Sequence, residues 1–371
     1  MRVDRRQPLV PPPARRARRG PHLMAETGLQ EPGVRSPRLL LTMLSRVPEE
    51  LGVFAALVVL VLLIGVHNSD FIRHGNLLNL IASNSFFGII SLATVFLLAL
   101  GEIDLSVGWN FNFSAVIAAL AMVHGVNPWI AAVLGLLFGA GLGLFNGLLS
   151  VGLGLPVIIV TLGTYSMFQG LSLVVNKSSA VVPPDVTGSF FTTVNKRVGS
   201  LPFVGPIPVL AIVFVALAVV LHLILHRTRF GYRVLAIGSN PEAARLAGIP
   251  IARTRVLVLV LVGAFCGFSG SLYVGSFGSV DPASGGQFLL SVVAAVIIGG
   301  TPLSGGMGTV IGAMIGVLII ATISSGIVFF GIDSTWSTFV TGAAIIIAVS
   351  LDQAIRWQRR RTGERRAISA T

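Results

Sequence analysis

From residue 50 to residue 352 the chain is a succession of long apolar runs separated by short polar breaks. A helix that crosses a bilayer needs about 20 mostly apolar residues, with a range of about 17–25. Ten runs reach or approach that length: 50–67, 77–100, 107–124, 128–151, 156–175, 207–226, 255–279, 288–300, 309–330 and 335–352. The eighth is short and passes into GGTPLSGGMG, so a partial or broken helix is expected there. Because lipid satisfies no backbone polar group, runs of this length predict helices rather than open strands. The fold class is therefore all-α, a polytopic membrane protein of about ten transmembrane helices.

Composition agrees and removes some function classes. Of 371 residues 54% are hydrophobic and 11% charged, outside the range of a soluble domain. The formal net charge of +12 would suit a nucleic-acid partner, but 22 of the 26 Lys and Arg fall in three clusters: 1–46, 227–255 and 356–366. Clusters confined to segments between apolar runs follow the positive-inside rule, so no nucleic acid is expected. With ten spans, the three clusters all fall on one side, which makes both termini and the loop 227–255 cytoplasmic. The segment 176–206, with both lysines of the chain, is then external. Residues 1–46 read as a disordered Arg/Pro-rich cytoplasmic tail, 47–352 as the transmembrane domain, and 353–371 as a basic cytoplasmic tail.

Few residues offer chemistry of their own. Cys266 is the single cysteine and lies in an apolar run, so it has no disulfide partner. His222 and His226 share a helix face at i, i+4 spacing, but no third ligand accompanies them and no metal is expected. No G-x-x-x-x-G-K-[ST] phosphate loop occurs, because GGTPLSGGMGT lacks the lysine. No cofactor and no catalytic grouping is expected: the chain does not read as an enzyme.

The stretch GEIDLSVGWNFNF, residues 101–113, places two carboxylates beside an apolar run. Asp104 is suited to cap the helix that begins near Val107, by accepting N–H bonds near Ser106 and Val107. Glu102 then lies in the same hydrated turn, so Glu102, Asp104 and Ser106 read as a structural turn. The competing reading makes the two acids an ion or proton site of a self-sufficient secondary transporter. Substrate pathway candidates are Asn110, Asn112 and Thr161, the first two reaching a passage together only if their helix is interrupted.

The polar loop RTRFGYRVLAIGSNPEAARLAGIPIARTR, residues 227–255, carries helix signals of its own. Asn240 suits an N-cap, Pro241 the first helical position, Glu242 the positive end and Gly248 the stop. A short helix outside the membrane is predicted, its arginines meeting anionic lipid.

Here EAARLAG resembles the EAA-x-x-x-G loop of ATP-binding cassette importer permeases. Taken with GEIDLSVG at 101–108, NGLL at 146–149, TLGTYSMFQGLSLVV at 161–175 and AAVIIGGTPLSGGMGTVIGAMIG at 294–316, the chain resembles the permeases of ribose, xylose, arabinose and related sugar importers. The resemblance covers roughly residues 50–352. It implies the importer permease fold and makes Glu242, Ala243, Ala244 and Gly248 the ATPase-coupling residues. The implied partners are an ATP-binding cassette ATPase subunit, an extracytoplasmic sugar-binding protein and a second permease chain forming a homodimer, with this chain in the bacterial inner membrane. The implied cargo is a monosaccharide or related polyol; permeases for branched-chain amino acids or nucleosides share much of the pattern. Two departures stand out. Glu102 replaces a glycine of GGIDLSVG, and Leu289, Leu290, Ser291, Val292 and Val293 stand where E-L-D-A-I is common.

Overall fold

The computed structural model describes residues 49–201, 205–347 and 350. The predicted tails, 1–46 and 353–371, lie outside the described residues. In chain order the first helices are α1 (Glu49–His67), α2 (His74–Ala99), α3 (Val107–Val123), α4 (Pro128–Leu153) and α5 (Val157–Val175). Next come a short α6 (Ser189–Val194) and a hairpin of β1 (Arg197–Leu201) and β2 (Gly205–Pro208). The chain continues with α7 (Val209–Arg227), α8 (Arg229–Ser239), α9 (Pro241–Leu246), α10 (Ile251–Phe277), α11 (Gly285–Ile298) and α12 (Val310–Phe329). A last apolar helix, α13, covers Trp336–Ile347.

Among the described residues each of the ten predicted runs contains a helix. Seven helices, α1, α2, α4, α5, α7, α10 and α12, are long and apolar enough to cross a bilayer, while α3, α11 and α13 are shorter. The eighth run is α11, with 14 residues, and it ends at Gly299 before an irregular loop that leads to α12. The helix that carries Asn110 and Asn112 is continuous from Val107 to Val123, not interrupted.

Burial sorts the helices into two groups. α3 is apolar on all sides and almost wholly enclosed by other helices, as expected of a helix without a polar face. α2 is buried from Ser85 to Leu100, whereas α1, α4, α5 and α7 turn rows of exposed Leu, Ile and Val outward. Apolar side chains facing lipid cost nothing in hydrocarbon, so these rows suit a surface that meets lipid or another apolar helix.

Small residues decide how tightly α4 and α10 pack. Gly135, Gly139 and Gly143, four residues apart, line one face of α4 and meet Gly263 and Gly267 of α10. A Cβ on Gly139 would lie 2.7 Å from the backbone nitrogen of Gly267, so only glycine allows this approach. Without a hydrophobic drive between helices in lipid, such close backbone packing is a main source of association.

The segment between α5 and α7 folds back on this core. Phe190, Phe191 and Val194 of α6 are buried, and Asn195 Nδ2 donates to the Gly275 carbonyl of α10 at 3.0 Å. Val181 pairs with Val280 as an antiparallel bridge. The sequence reading assigned no structure to this segment.

Candidate translocation and coupling sites

The turn at 101–106 enters the helix bundle rather than lying on its surface. Asp104 is only 2% exposed, and its carboxylate accepts from the Ser106 backbone N–H at 2.7 Å and from Ser106 Oγ at 2.6 Å. Asn146 Nδ2 of α4 donates to Ser106 Oγ at 2.9 Å, and Thr161 Oγ1 of α5 accepts from the Leu105 N–H at 3.1 Å. The hydrated turn expected from the sequence is thus corrected at its inner end: Asp104 and Ser106 are buried and bonded to protein, with α4 and α5 contributing partners, while Gly101 is exposed and Glu102 half-buried. Burial of a carboxylate is tolerable because two donors converge on it. Glu102 sits at the rim, where Arg255 Nη2 of α10 approaches its Oε1 at 2.6 Å.

The three pathway candidates occupy the same enclosed region. Asn112 Nδ2 donates to the Asp281 carbonyl at 2.9 Å and to Ser284 Oγ at 2.7 Å, while its Oδ1 accepts from Ser172 Oγ at 2.8 Å. Asn110 Nδ2 donates to the Gly139 carbonyl at 3.3 Å, and its Oδ1 accepts from Ser114 Oγ at 3.2 Å. Thr161 also donates to the Ile158 carbonyl at 3.4 Å. All three are buried, and in this conformation each ties α3 or the loop before it to a neighbouring element. Trp109 differs. It is 3% exposed, stands edge-on to the half-buried Tyr165 of α5, and its indole N–H has no hydrogen-bond partner among the described residues.

The loop 227–255 contains two helices where the sequence predicts one. Thr228 caps α8 by accepting from the Gly231 N–H at 3.2 Å. Gly231, Val234 and Ile237, spaced three residues apart, turn inward. At the end of α8, Gly238 lies against the Ala99 carbonyl and the Gly306 nitrogen, so the loop touches both α2 and the Gly-rich turn before α12. The Gly306 N–H donates to the Ala99 carbonyl at 2.8 Å. Gly305 packs against Gly101, so the two motifs GEIDLSVG and GGTPLSGGMG meet beside α8.

The second loop helix, α9, has the termini that its residues predict. Asn240 Oδ1 accepts from the Glu242 N–H at 3.1 Å and the Ala243 N–H at 3.0 Å, with Pro241 in the first position. Gly248 closes it with φ +76°, a conformation that favours glycine. Ala244 packs inward, whereas Glu242, Ala243 and Gly248 are exposed. Leu246 is 85% exposed, an apolar side chain projecting from a polar loop.

The His222 and His226 rings lie with centroids 4.6 Å apart, tilted by 52°. Among the described residues no group of three His, Cys, Asp or Glu is placed to hold a metal.

Comparison with known proteins places this architecture. The family described as "Branched-chain amino acid transport system / permease component" matches residues 76–349. The chain is 37% identical over 307 residues to the ribose import permease protein RbsC of Bacillus subtilis, covering 83% of this chain and 94% of that protein. It is 33% identical over 316 residues to the L-arabinose ABC transporter permease protein AraH of Azospirillum brasilense, covering 83% and 89%. Against the D-allose transport system permease protein AlsC of Escherichia coli it is 32% identical over 309 residues, covering 83% and 92%. Since the family match runs from α2 through α13, the chain belongs to this permease-component family and is a multi-pass membrane protein.

Proposed function

We propose that the chain is the membrane-spanning subunit of a binding-protein-dependent ATP-binding cassette importer that carries a monosaccharide, pentose or hexose, or a related polyol across the inner membrane. The observation that carries this reading is the likeness, over 83% of the chain, to permeases named for ribose, arabinose and allose. In this reading both termini and the loop 227–255 are cytoplasmic, and an external sugar-binding protein delivers cargo to the opposite face. A partner ATPase docks on α9, where Glu242, Ala243 and Gly248 are exposed and Leu246 offers an apolar knob. Ala244 seats the helix from below. Two copies of this chain form the translocation unit, and the ATPase rather than this chain hydrolyses ATP.

Movement of α9 reaches the centre of the bundle through α8, which abuts Ala99 and Gly306. A bistable bundle responds to such a push only through contacts that differ between its two states. Asn110, Asn112 and Thr161 enter as the residues that fix the helices around the pathway. Trp109, with its unspent indole N–H beside Tyr165, supplies the donor and aromatic face that a neutral sugar requires.

The family's description favours branched-chain amino acids as the second cargo class. The ion-coupled reading has less support, because Glu102 is held by Arg255 and Asp104 by Ser106. The deciding experiment reconstitutes the chain with its ATPase and binding protein in liposomes. ATP-dependent uptake of a labelled sugar is expected, with loss on Glu242→Ala or Gly248→Val. Uptake by the chain alone under a proton or sodium gradient overturns the proposal, and uptake of leucine but no sugar establishes the second cargo class.

A further inference from the structure

Where α4 ends and α10 begins, a cavity of about 370 Å³ opens, lined by Ser150 and Gly154 of the α4 end, Arg245 of α9, and Ile251, Ala252 and Arg255 of the first α10 turn. We propose that this cavity binds the phosphodiester headgroup of an anionic phospholipid, which thereby fastens α9 to the membrane domain.

Charge is the first support. The lining holds two arginines, from separate elements, and no acidic residue. Arg245 makes no ion pair among the described residues. Arg255 gives one Nη2 contact to Glu102, while its Nε is buried without a partner. A guanidinium with a donor to spare is the group best shaped for a phosphate oxygen.

Backbone is the second. α10 runs for 27 residues, and no side chain caps its start at Pro250. The first-turn N–H groups of a long helix carry partial positive charge, and here they sit beside the two arginines. At the facing end of α4 two carbonyls are already engaged: Ser150 O accepts from both the Gly154 and Leu155 N–H groups, and Ser150 Oγ donates to the Leu155 carbonyl at 2.8 Å.

Position selects a lipid rather than a free anion. The cavity lies at the shared end of two bilayer-crossing helices. Beside it Leu148, Leu153, Leu155 and Ile158 are exposed on α4, α5 and the link between them, an apolar skirt that acyl chains would cover. The headgroup chemistry and the apolar skirt meet at one depth, as a phospholipid requires.

The test uses the full-length chain, without ATPase or binding protein, so that its outcome is independent of the transport reading. Purified chain is transferred to nanodiscs of phosphatidylcholine with or without phosphatidylglycerol, and the thermal unfolding midpoint is followed. Phosphatidylglycerol is expected to raise the midpoint by about 2–4 °C. Arg245→Gln abolishes most of that rise, Arg245→Lys keeps part of it, and Arg233→Gln, on the exposed face of α8 and outside the cavity, keeps all of it. An equal midpoint in both lipids, an undiminished rise in Arg245→Gln, or the same rise produced by millimolar inorganic phosphate in phosphatidylcholine alone overturns the proposal.

Discussion

Arg255 Nη2 and Glu102 Oε1 lie 2.6 Å apart, joining the first turn of α10 to the loop that precedes α3. One end of this pair is the last residue of the loop 227–255; the other belongs to the turn that holds Asp104. Gly238 of α8 lies against Ala99 at the end of α2 and against Gly306, whose neighbour Gly305 packs on Gly101 of that turn. The loop 227–255 thus meets the turn directly through the ion pair and reaches it indirectly through the end of α2 and the Gly305–Gly306 backbone.

The ion pair is partly shielded, its side chains 28% and 17% exposed for Arg255 and Glu102. Removing one partner leaves the other charge only partly solvated, which costs more than losing an exposed pair. Glu102→Gln and Arg255→Gln are each expected to destabilise the chain. In a double-mutant cycle the coupling is about 1 kcal/mol. Thermal unfolding of the four variants measures it, and additive effects would show that the two residues act independently.

The α4–α10 seam gives a prediction with an internal control. Gly139→Ala places a methyl group against the backbone of Gly263 and Gly267, whereas at Gly141, on the same helix, nothing lies within 4 Å. Overpacking costs about 1–3 kcal/mol, while Gly→Ala in open helix is favourable by up to about 1 kcal/mol. Gly139→Ala should lower the unfolding midpoint and the yield of monodisperse protein, and Gly141→Ala should not.

Asn240 caps α9 with two bonds from one side-chain oxygen. Asn240→Ala is expected to cost about 1 kcal/mol of local helix stability, and Asn240→Asp to retain it. Amide exchange at Glu242 and Ala243 reads this directly. Faster exchange there in the alanine variant, with no change in α10, is the expected result.

Asn112 bridges α3 to Ser172 of α5 and to Ser284 and Asp281 before α11. Asn112→Ala leaves two hydroxyls short of a partner and is expected to cost about 1–3 kcal/mol. Because the amide is spent on internal bonds, the KM for cargo-loaded binding protein in the folded fraction should stay unchanged. A raised KM with unaltered unfolding would make Asn112 a cargo contact instead.

Much of the fold was legible because the bilayer imposes it. Each apolar run from 50–67 to 335–352 meets a helix, and the short run at 288–300 meets the short α11. Local rules served equally well in the coupling loop, where Asn240, Pro241 and Gly248 mark the ends of α9. The same kind of signal at Thr228, Val234 and Ile237 was present for α8 but went unread.

The candidate site was less legible, since spacing cannot show what encloses a residue. Asp104 belongs by sequence to a turn beside a helix end, and such turns usually meet water. In the structure α4 and α5 close over it, because Asn146 reaches Ser106 from 40 residues away and Thr161 reaches Leu105 from 56. Trp109 gave no sequence signal apart from its type; its orphan N–H exists only in the packed bundle.

By itself, then, the sequence determined the number of apolar helices and the cap chemistry of α9, because both depend on neighbours a few residues apart and on the solvent around them. Tertiary structure alone decided that Glu102 would meet Arg255, that Gly139 would touch Gly263 and Gly267, and that Asn112 would be consumed by Ser172 and Ser284. Those pairings join distant segments, and their energies depend on closeness and burial that exist only once the helices have packed.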